Sequence, residues 1–165
     1  MNIQLRGIEF ENFGNYKKPA MFLAFPYCRG FKCGAELCQN SPLALSPLLD
    51  YSTEAIVKAY TENHITQAIV CGGLEPFDSI TDLTILINNL REATEDDIII
   101  YTGYTEHEFE HTLPQAIKDA YRYIITRYKN IIIKFGRYIP NQQPHYDEVL
   151  GVNLASDNQY AKKVS

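Results

Sequence analysis

The sequence predicts an α/β protein built on a mainly parallel sheet of about four to six strands. Two features predict this fold class. Short, almost wholly apolar runs recur along the chain, and amphipathic helical patterns separate them. Apolar strands joined through helices are typical of parallel sheets, because both faces of such sheets are covered. The 165 residues correspond to one domain over residues 1–165.

Five segments have the composition of strands. Residues 3–10 alternate loosely, and residues 21–25 form an apolar run that Pro26 ends, because proline lacks the N–H that a ladder needs. The other three predicted strands are β-branched and apolar, and they cover residues 67–71, 97–102 and 131–135. Residues 27–47 have no periodicity and predict a long loop, a type of segment that is usually functional in compact domains.

Three helices are predicted between these strands. The first begins after Ser52, a favourable N-cap, with Glu54 in its first turn. The second covers residues 80–92, where apolar residues recur at helical spacing. The third begins near Pro114, since a proline in the first turn costs little. Because the carboxyl ends of parallel strands share one edge, we expect the loops that follow the strands to form one ligand site.

Charge and hydropathy exclude some functions. The net charge of −5 argues against a binder of nucleic acid or anionic membranes. No apolar run reaches the ~20 residues of a membrane span, so we expect a cytoplasmic protein that does not bind membranes. Disulfides are rare in that compartment, and the cysteines therefore point to metal or cluster binding.

Three of the four cysteines lie close together in the predicted loop. Cys28, Cys33 and Cys38 are separated by four residues each time, while Cys71 ends a predicted strand. Three interpretations are open: buried thiols, a zinc site whose fourth ligand is Cys71, His64 or a more distant histidine, or an iron–sulfur cluster. A [4Fe–4S] cube bound by three thiolates leaves one iron open to a small ligand.

Several motifs together resemble the radical S-adenosylmethionine (radical SAM) enzymes, most closely the activating enzymes of anaerobic ribonucleotide reductase. They occur in family order from about residue 21 to residue 159. They are the three loop cysteines, Cys38-Gln39-Asn40, Gly72-Gly73-Leu74-Glu75-Pro76, Tyr101-Thr102-Gly103-Tyr104, Lys134-Phe135-Gly136-Arg137-Tyr138 and Ser156-Asp157-Asn158-Gln159. The cysteine spacing departs from the family's usual, shorter one, and Leu37 stands where an aromatic residue is usual.

The resemblance implies a partial (βα) barrel with its cofactors at the carboxyl ends of the strands. It implies that Cys28, Cys33 and Cys38 hold a [4Fe–4S] cluster whose open iron binds S-adenosylmethionine. The residues that it implies for binding the cofactor are Asn40, Gly72, Gly73, Glu75, Thr102, Gly103, Tyr104, Lys134 and Asn158. Alternatives remain at several of these positions: Glu75 as a surface charge, Tyr104 as packing, Lys134 reaching solvent and Asn158 as a turn residue.

The resemblance also implies an activity. A reduced cluster cleaves S-adenosylmethionine to methionine and a 5′-deoxyadenosyl radical, which would generate a glycyl radical on anaerobic ribonucleoside-triphosphate reductase. The expected partners are that large reductase chain, or another glycyl-radical protein, and a low-potential electron donor such as flavodoxin or ferredoxin. The alternatives are another radical SAM modification of a peptide or small substrate, and a non-catalytic iron–sulfur or zinc protein.

Overall fold

The computed structural model describes residues 1–29, 38 and 40–165, and a six-stranded sheet forms the centre of this part. The strands are β1 (Asn2–Leu5), β2 (Gly7–Asn12), β3 (Ala20–Phe25), β4 (Leu49–Ser52), β5 (Ala68–Gly73), β6 (Asp97–Tyr101), β7 (Ile131–Phe135), β8 (His145–Asp147), β9 (Val152–Leu154) and β10 (Tyr160–Lys163). The helices are α1 (Ser41–Ala44), α2 (Thr53–Glu62), α3 (Ile80–Ala93) and α4 (Gln115–Arg127). A 3-10 turn covers Pro76–Ser79, and a π-helical turn covers Glu108–Thr112.

The order of strands across the sheet is β10-β7-β6-β5-β3-β2. The four inner strands β3, β5, β6 and β7 are parallel, while β2 and β10 pair antiparallel at the two edges. The prediction of an α/β fold with a mainly parallel sheet is therefore confirmed. Two antiparallel pairs, β1 with β4 and β8 with β9, lie outside this sheet.

The predicted core elements are confirmed with small shifts at their ends. Each inner strand overlaps a predicted run, and β7 has the predicted bounds. Helix α2 begins after Ser52, whose hydroxyl accepts a hydrogen bond from the Ala55 amide at 3.3 Å. None of the described helices is long and apolar enough to span a membrane.

Two predictions of local structure need correction. The segment 3–10 does not form one strand, because the chain bends at Arg6 and β1 pairs with β4 instead of joining the central sheet. The predicted loop 27–47 contains the short helix α1, whose first turn holds Pro42. A proline suits that position, since the first-turn N–H groups have no partner within the helix. Residues 30–37 and 39 of this loop lie outside the described residues.

The two faces of the sheet have different coverings. Cys71, Ile100 and Ile133 belong to the core cluster that includes the apolar side chains of α2, α3 and α4. Ile99 and Ile132 belong to a smaller cluster on the opposite face, which is completed by side chains from outside the sheet. This alternation follows from the two-residue period of a strand.

Candidate functional site

A cavity of about 390 Å³ lies at the carboxyl ends of the parallel strands. At least one residue from the segment after each parallel strand lines this cavity, for example Cys28, Leu74, Gly103 and Gly136. Its volume lies within the roughly 300–1,000 Å³ of typical small-molecule pockets. The position agrees with the general location of ligands in open α/β sheets.

Eight predicted site residues from four separate segments line this cavity. They are Cys28, Cys38, Asn40, Gly72, Gly73, Thr102, Gly103 and Lys134. The third predicted cluster ligand, Cys33, lies outside the described residues. Among the described residues, no group of three or more Cys, His, Asp or Glu side chains lies close enough together to hold a metal ion.

The cysteines divide between the two faces of the sheet. Cys28 is exposed and Cys38 is half-buried at the cavity. Cys71 is fully buried in the helix-side core, and burial raises the pKa of its thiol to about 12. Cys71 is therefore a neutral, buried thiol.

Asn40 connects the cysteine segment to the sheet. Its Nδ2 donates a hydrogen bond to the Gly73 carbonyl at the end of β5, at 2.7 Å. The amide of Ser41 donates to the Cys38 carbonyl at 3.2 Å, so the backbone turns directly after the cysteine. Asn40 thus holds Cys38 beside the end of β5, while its assignment as a cofactor residue stays a prediction.

Gly72 and Gly73 are glycines because of their neighbours in the sheet. A Cβ atom on Gly72 would lie 2.9 Å from a ring carbon of Phe22. Gly73 has a φ of +88°, and a Cβ atom there would lie 2.8 Å from the Cα of Ala24. The positive φ and the contact with the β3 backbone require a glycine at position 73, and the assignment of both glycines as cofactor residues stays a prediction.

Glu75 lies behind the cavity wall. It is fully buried, and it is not among the described residues that line the cavity. Its carboxyl accepts hydrogen bonds from the Phe77 amide at 3.1 Å, the Thr102 hydroxyl at 2.8 Å and the Gly103 amide at 2.8 Å. Burial raises the pKa of Glu75 to about 8, although the three donors oppose this shift. Glu75 therefore positions Thr102 and Gly103.

Tyr104 lies on a second groove, of about 740 Å³, that includes Asp78 and the start of α4. Its hydroxyl donates to Asp78 at 2.8 Å, and its amide donates to the Thr102 hydroxyl at 3.1 Å. Its ring centroid lies 5.9 Å from that of Phe109 in an edge-to-face contact. These contacts give Tyr104 a structural role, and its assignment as a cofactor residue stays a prediction.

Lys134 supplies a buried positive charge to the cavity. Only 6% of the residue is exposed, and its Nζ donates to the Gly136 carbonyl at 2.6 Å and lies 5.9 Å from the Tyr101 ring centroid. Burial lowers the pKa of this ammonium to about 8, against the opposing effect of Glu75. Of the two predicted alternatives, the structure therefore favours a side chain in the site over one that reaches solvent.

Asn158 holds the turn after β7. Its Nδ2 donates to the Arg137 carbonyl at 2.8 Å, and its Oδ1 accepts from the Ser156 hydroxyl at 2.7 Å. Gly136 in this turn has a φ of +92°, and a Cβ atom there would lie 3.2 Å from the Asn158 amide nitrogen. These contacts give Asn158 a structural role, and its contact with a cofactor stays a prediction.

Part of the cavity wall lies outside the predicted site residues. Phe22 and Tyr101 line it from β3 and β6, and the Tyr101 hydroxyl donates to the Asn15 carbonyl at 2.6 Å. Gly14 and residues 152–155 also line the cavity. Phe22 and Tyr101 lie on the same face of the sheet as Ile99 and Lys134. Once the strands are aligned, the two-residue period of a strand predicts this placement.

A scan against models of known protein families finds no match, and a search of curated proteins finds none either.

Proposed function

We propose that the protein is a radical SAM enzyme that generates a glycyl radical on anaerobic ribonucleotide reductase. The observation that carries this proposal is the shared cavity of Cys28, Cys38, Gly73, Thr102 and Lys134. These residues come from four motifs that are far apart in the sequence. The parallel topology brings the strand ends together, and the motifs place two thiols, a glycine, a hydroxyl and a buried ammonium at that edge.

The donor set fits an iron–sulfur cluster with one open iron. Cys28 and Cys38 face the cavity, and Cys33 lies between them in sequence, so all three belong to one segment. Cys71 is fully buried in the helix-side core, where it would not complete a fourth ligand position. Three thiolates from one loop leave one iron for the amine and carboxylate of S-adenosylmethionine.

When bound, the cluster would supply one electron that cleaves a carbon–sulfur bond of S-adenosylmethionine. The products would be methionine and a 5′-deoxyadenosyl radical, which would abstract a hydrogen atom from the substrate glycine. The chain supplies position and charge. Lys134 offers an ammonium to the carboxylate in a buried wall, where such a contact is strong. Asn40 fixes the cysteine segment against Gly73.

The candidate site leaves Cys28 exposed at the cavity, where a protein substrate would cover it. The proposed substrate is a glycine-bearing loop of the large reductase chain, which would itself cover the cavity. A flavodoxin or ferredoxin would supply the electron.

The proposal is tested by anaerobic reconstitution of the cluster, followed by reductant and S-adenosylmethionine. We expect 5′-deoxyadenosine in a chromatographic assay and, with the reductase present, a glycyl-radical signal in electron paramagnetic resonance. An intact four-iron cluster that produces no 5′-deoxyadenosine would contradict the enzyme assignment. Cleavage without a radical on the reductase would instead favour a different radical SAM reaction.

A further inference from the structure

The outer edge of β9 carries a main-chain hydrogen-bonding pair that has no partner among residues 1–29, 38 and 40–165. In the described part of the chain, β8 is the only strand that pairs with β9, with His145 opposite Leu154, Tyr146 opposite Asn153 and Asp147 opposite Val152. In an antiparallel ladder, hydrogen-bonded pairs alternate with non-hydrogen-bonded pairs. The middle pair therefore differs in type from the two pairs that flank it.

The residues beyond the ladder decide which type the middle pair is. If Tyr146 and Asn153 were hydrogen-bonded to each other, the next bonded pairs would be residues 144 with 155 and 148 with 151. The described residues make neither bond, and Pro144 has no N–H to offer. The N–H and C=O of Asn153 therefore point away from β8. Outside the β8–β9 ladder, the backbone hydrogen bonds of the described residues include none to either group.

This edge faces the candidate site. Residues 152–155 all line the cavity, although successive side chains of a strand point to opposite faces. Leu154 belongs to the smaller apolar cluster that contains Ile99, and Val152 packs against that cluster. Side chains on one face of β9 therefore do not explain why four consecutive residues line the cavity. The strand thus meets the cavity along its edge, where the Asn153 main chain lies.

Open space and exposed aromatic side chains occur at or next to residues of the cavity wall. On another part of the cavity wall, a Cβ atom on Gly14 would meet no atom within 4 Å, so space is open there. Tyr146, across the ladder from Asn153, is 61% exposed, and Phe13, next to Gly14, is 66% exposed. Exposed aromatic residues are enriched in protein–protein interfaces.

We propose that an extended segment of the polypeptide substrate adds to the edge of β9, with the N–H and C=O of Asn153 as the pairing groups. A residue in an extended chain presents its own N–H and C=O on one side, which matches this pair. The inference rests on the proposed function, because it assigns the place where the reductase loop would enter the cavity. The outer edge of β9 lies outside all of the motifs that carry the family resemblance.

The test uses the reconstituted protein with S-adenosylmethionine and a synthetic peptide that covers the glycyl-radical segment of the anaerobic reductase from the same genome. Hydrogen exchange with residue-level fragmentation reports the Asn153 amide. We expect the peptide to slow this exchange by about tenfold or more, since the amide gains a hydrogen bond. We expect Asn153→Pro, which removes the N–H, to weaken peptide binding by about tenfold relative to Asn153→Ala, which keeps it.

Four results would overturn the inference: no binding of the peptide, unchanged exchange at Asn153 in the complex, equal peptide affinity of the Pro and Ala variants, or protection by S-adenosylmethionine alone. The exchange measurement uses the unmodified chain, so it decides the matter even where Asn153→Pro fails to fold. Failure of the proposed function is a separate result, because 5′-deoxyadenosine formation and the glycyl-radical signal on the whole reductase are both measured without the peptide.

Discussion

The buried carboxyl of Glu75 accepts a hydrogen bond from the hydroxyl of Thr102 at 2.8 Å. This contact joins the segment after β5 to the segment after β6, and the Gly103 amide donates to the same carboxyl. Two motifs that are separate in the sequence are therefore parts of one hydrogen-bonded unit.

The first prediction concerns the stability of this unit as pH changes. Glu75 holds its proton up to a pKa of about 8 in the folded chain, whereas an unfolded glutamate has a pKa of about 4.3. Unfolding between these values releases the proton, so the stabilising effect is full at low pH and is lost as pH rises towards 8. We expect the free energy of unfolding to fall by about 2 kcal/mol more in the wild type than in Glu75→Gln between pH 6 and 8. Urea titrations of both proteins measure this difference, and parallel pH curves would refute it.

The second prediction concerns the attachment of the cysteine segment. Asn40→Ala removes the hydrogen bond to the Gly73 carbonyl, so Cys38 should be held less firmly. We expect reconstituted Asn40→Ala to lose its iron several times faster to a chelator than the wild type. Asn63→Ala is the matched control, because Asn63 at the end of α2 also donates from its Nδ2 to a main-chain carbonyl, that of Phe10 at 3.4 Å. Asn63 does not line the cavity. Equal rates of iron loss in both variants would argue against a positioning role for Asn40.

The third prediction concerns the charge of Lys134. If its ammonium binds the carboxylate of S-adenosylmethionine, affinity should decrease as pH rises through the lysine pKa of about 8. Lys134→Met should bind S-adenosylmethionine about tenfold more weakly at pH 7 and should lack this part of the pH dependence. Equilibrium binding to the reconstituted proteins at several pH values measures both effects. Identical pH profiles of the wild type and Lys134→Met would show that the Lys134 ammonium does not bind the carboxylate of S-adenosylmethionine.

The fourth prediction concerns the conformation at the end of β5. Gly73→Ala combines a φ of +88° with a contact of 2.8 Å to backbone, so we expect it to lower the free energy of unfolding by at least about 2 kcal/mol. Gly14→Ala meets no atom within 4 Å and should change stability by less than about 0.5 kcal/mol. Chemical denaturation of the two variants compares them, and similar values would show that the Gly73 backbone adapts at little cost.

The parts of the fold that the sequence predicts are those with dense apolar patterns. The run Ile131–Phe135 reads as a buried strand because its side chains pack on both faces of the sheet. The strands Val152–Leu154 and Tyr160–Lys163 are three and four residues long, and the second carries two lysines, so neither has a usable period. They depend on tertiary contacts such as the Asp147 carboxylate, which accepts from the Leu150 and Ala161 amides, both at 2.9 Å.

The candidate site was predictable to a similar degree. Residues that follow predicted strands, such as Cys28 and Thr102, line the cavity because topology alone brings strand ends together. Glu75 and Asn158 were not predictable in this way, since their orientation depends on donors and acceptors that are distant in sequence. Asn153 has no motif, and its exposed main-chain pair follows only from the register of β8 with β9.

The most direct test of the central claim is the electron paramagnetic resonance spectrum of the reduced, reconstituted cluster in the wild type and in Cys71→Ala, with and without S-adenosylmethionine. Because Cys71 is buried on the helix side, both proteins should hold the cluster, and S-adenosylmethionine should change both spectra by binding the open iron. Loss of the cluster in Cys71→Ala would contradict the assignment of three cysteine ligands. An intact cluster whose spectrum does not change when S-adenosylmethionine is added would contradict the open iron.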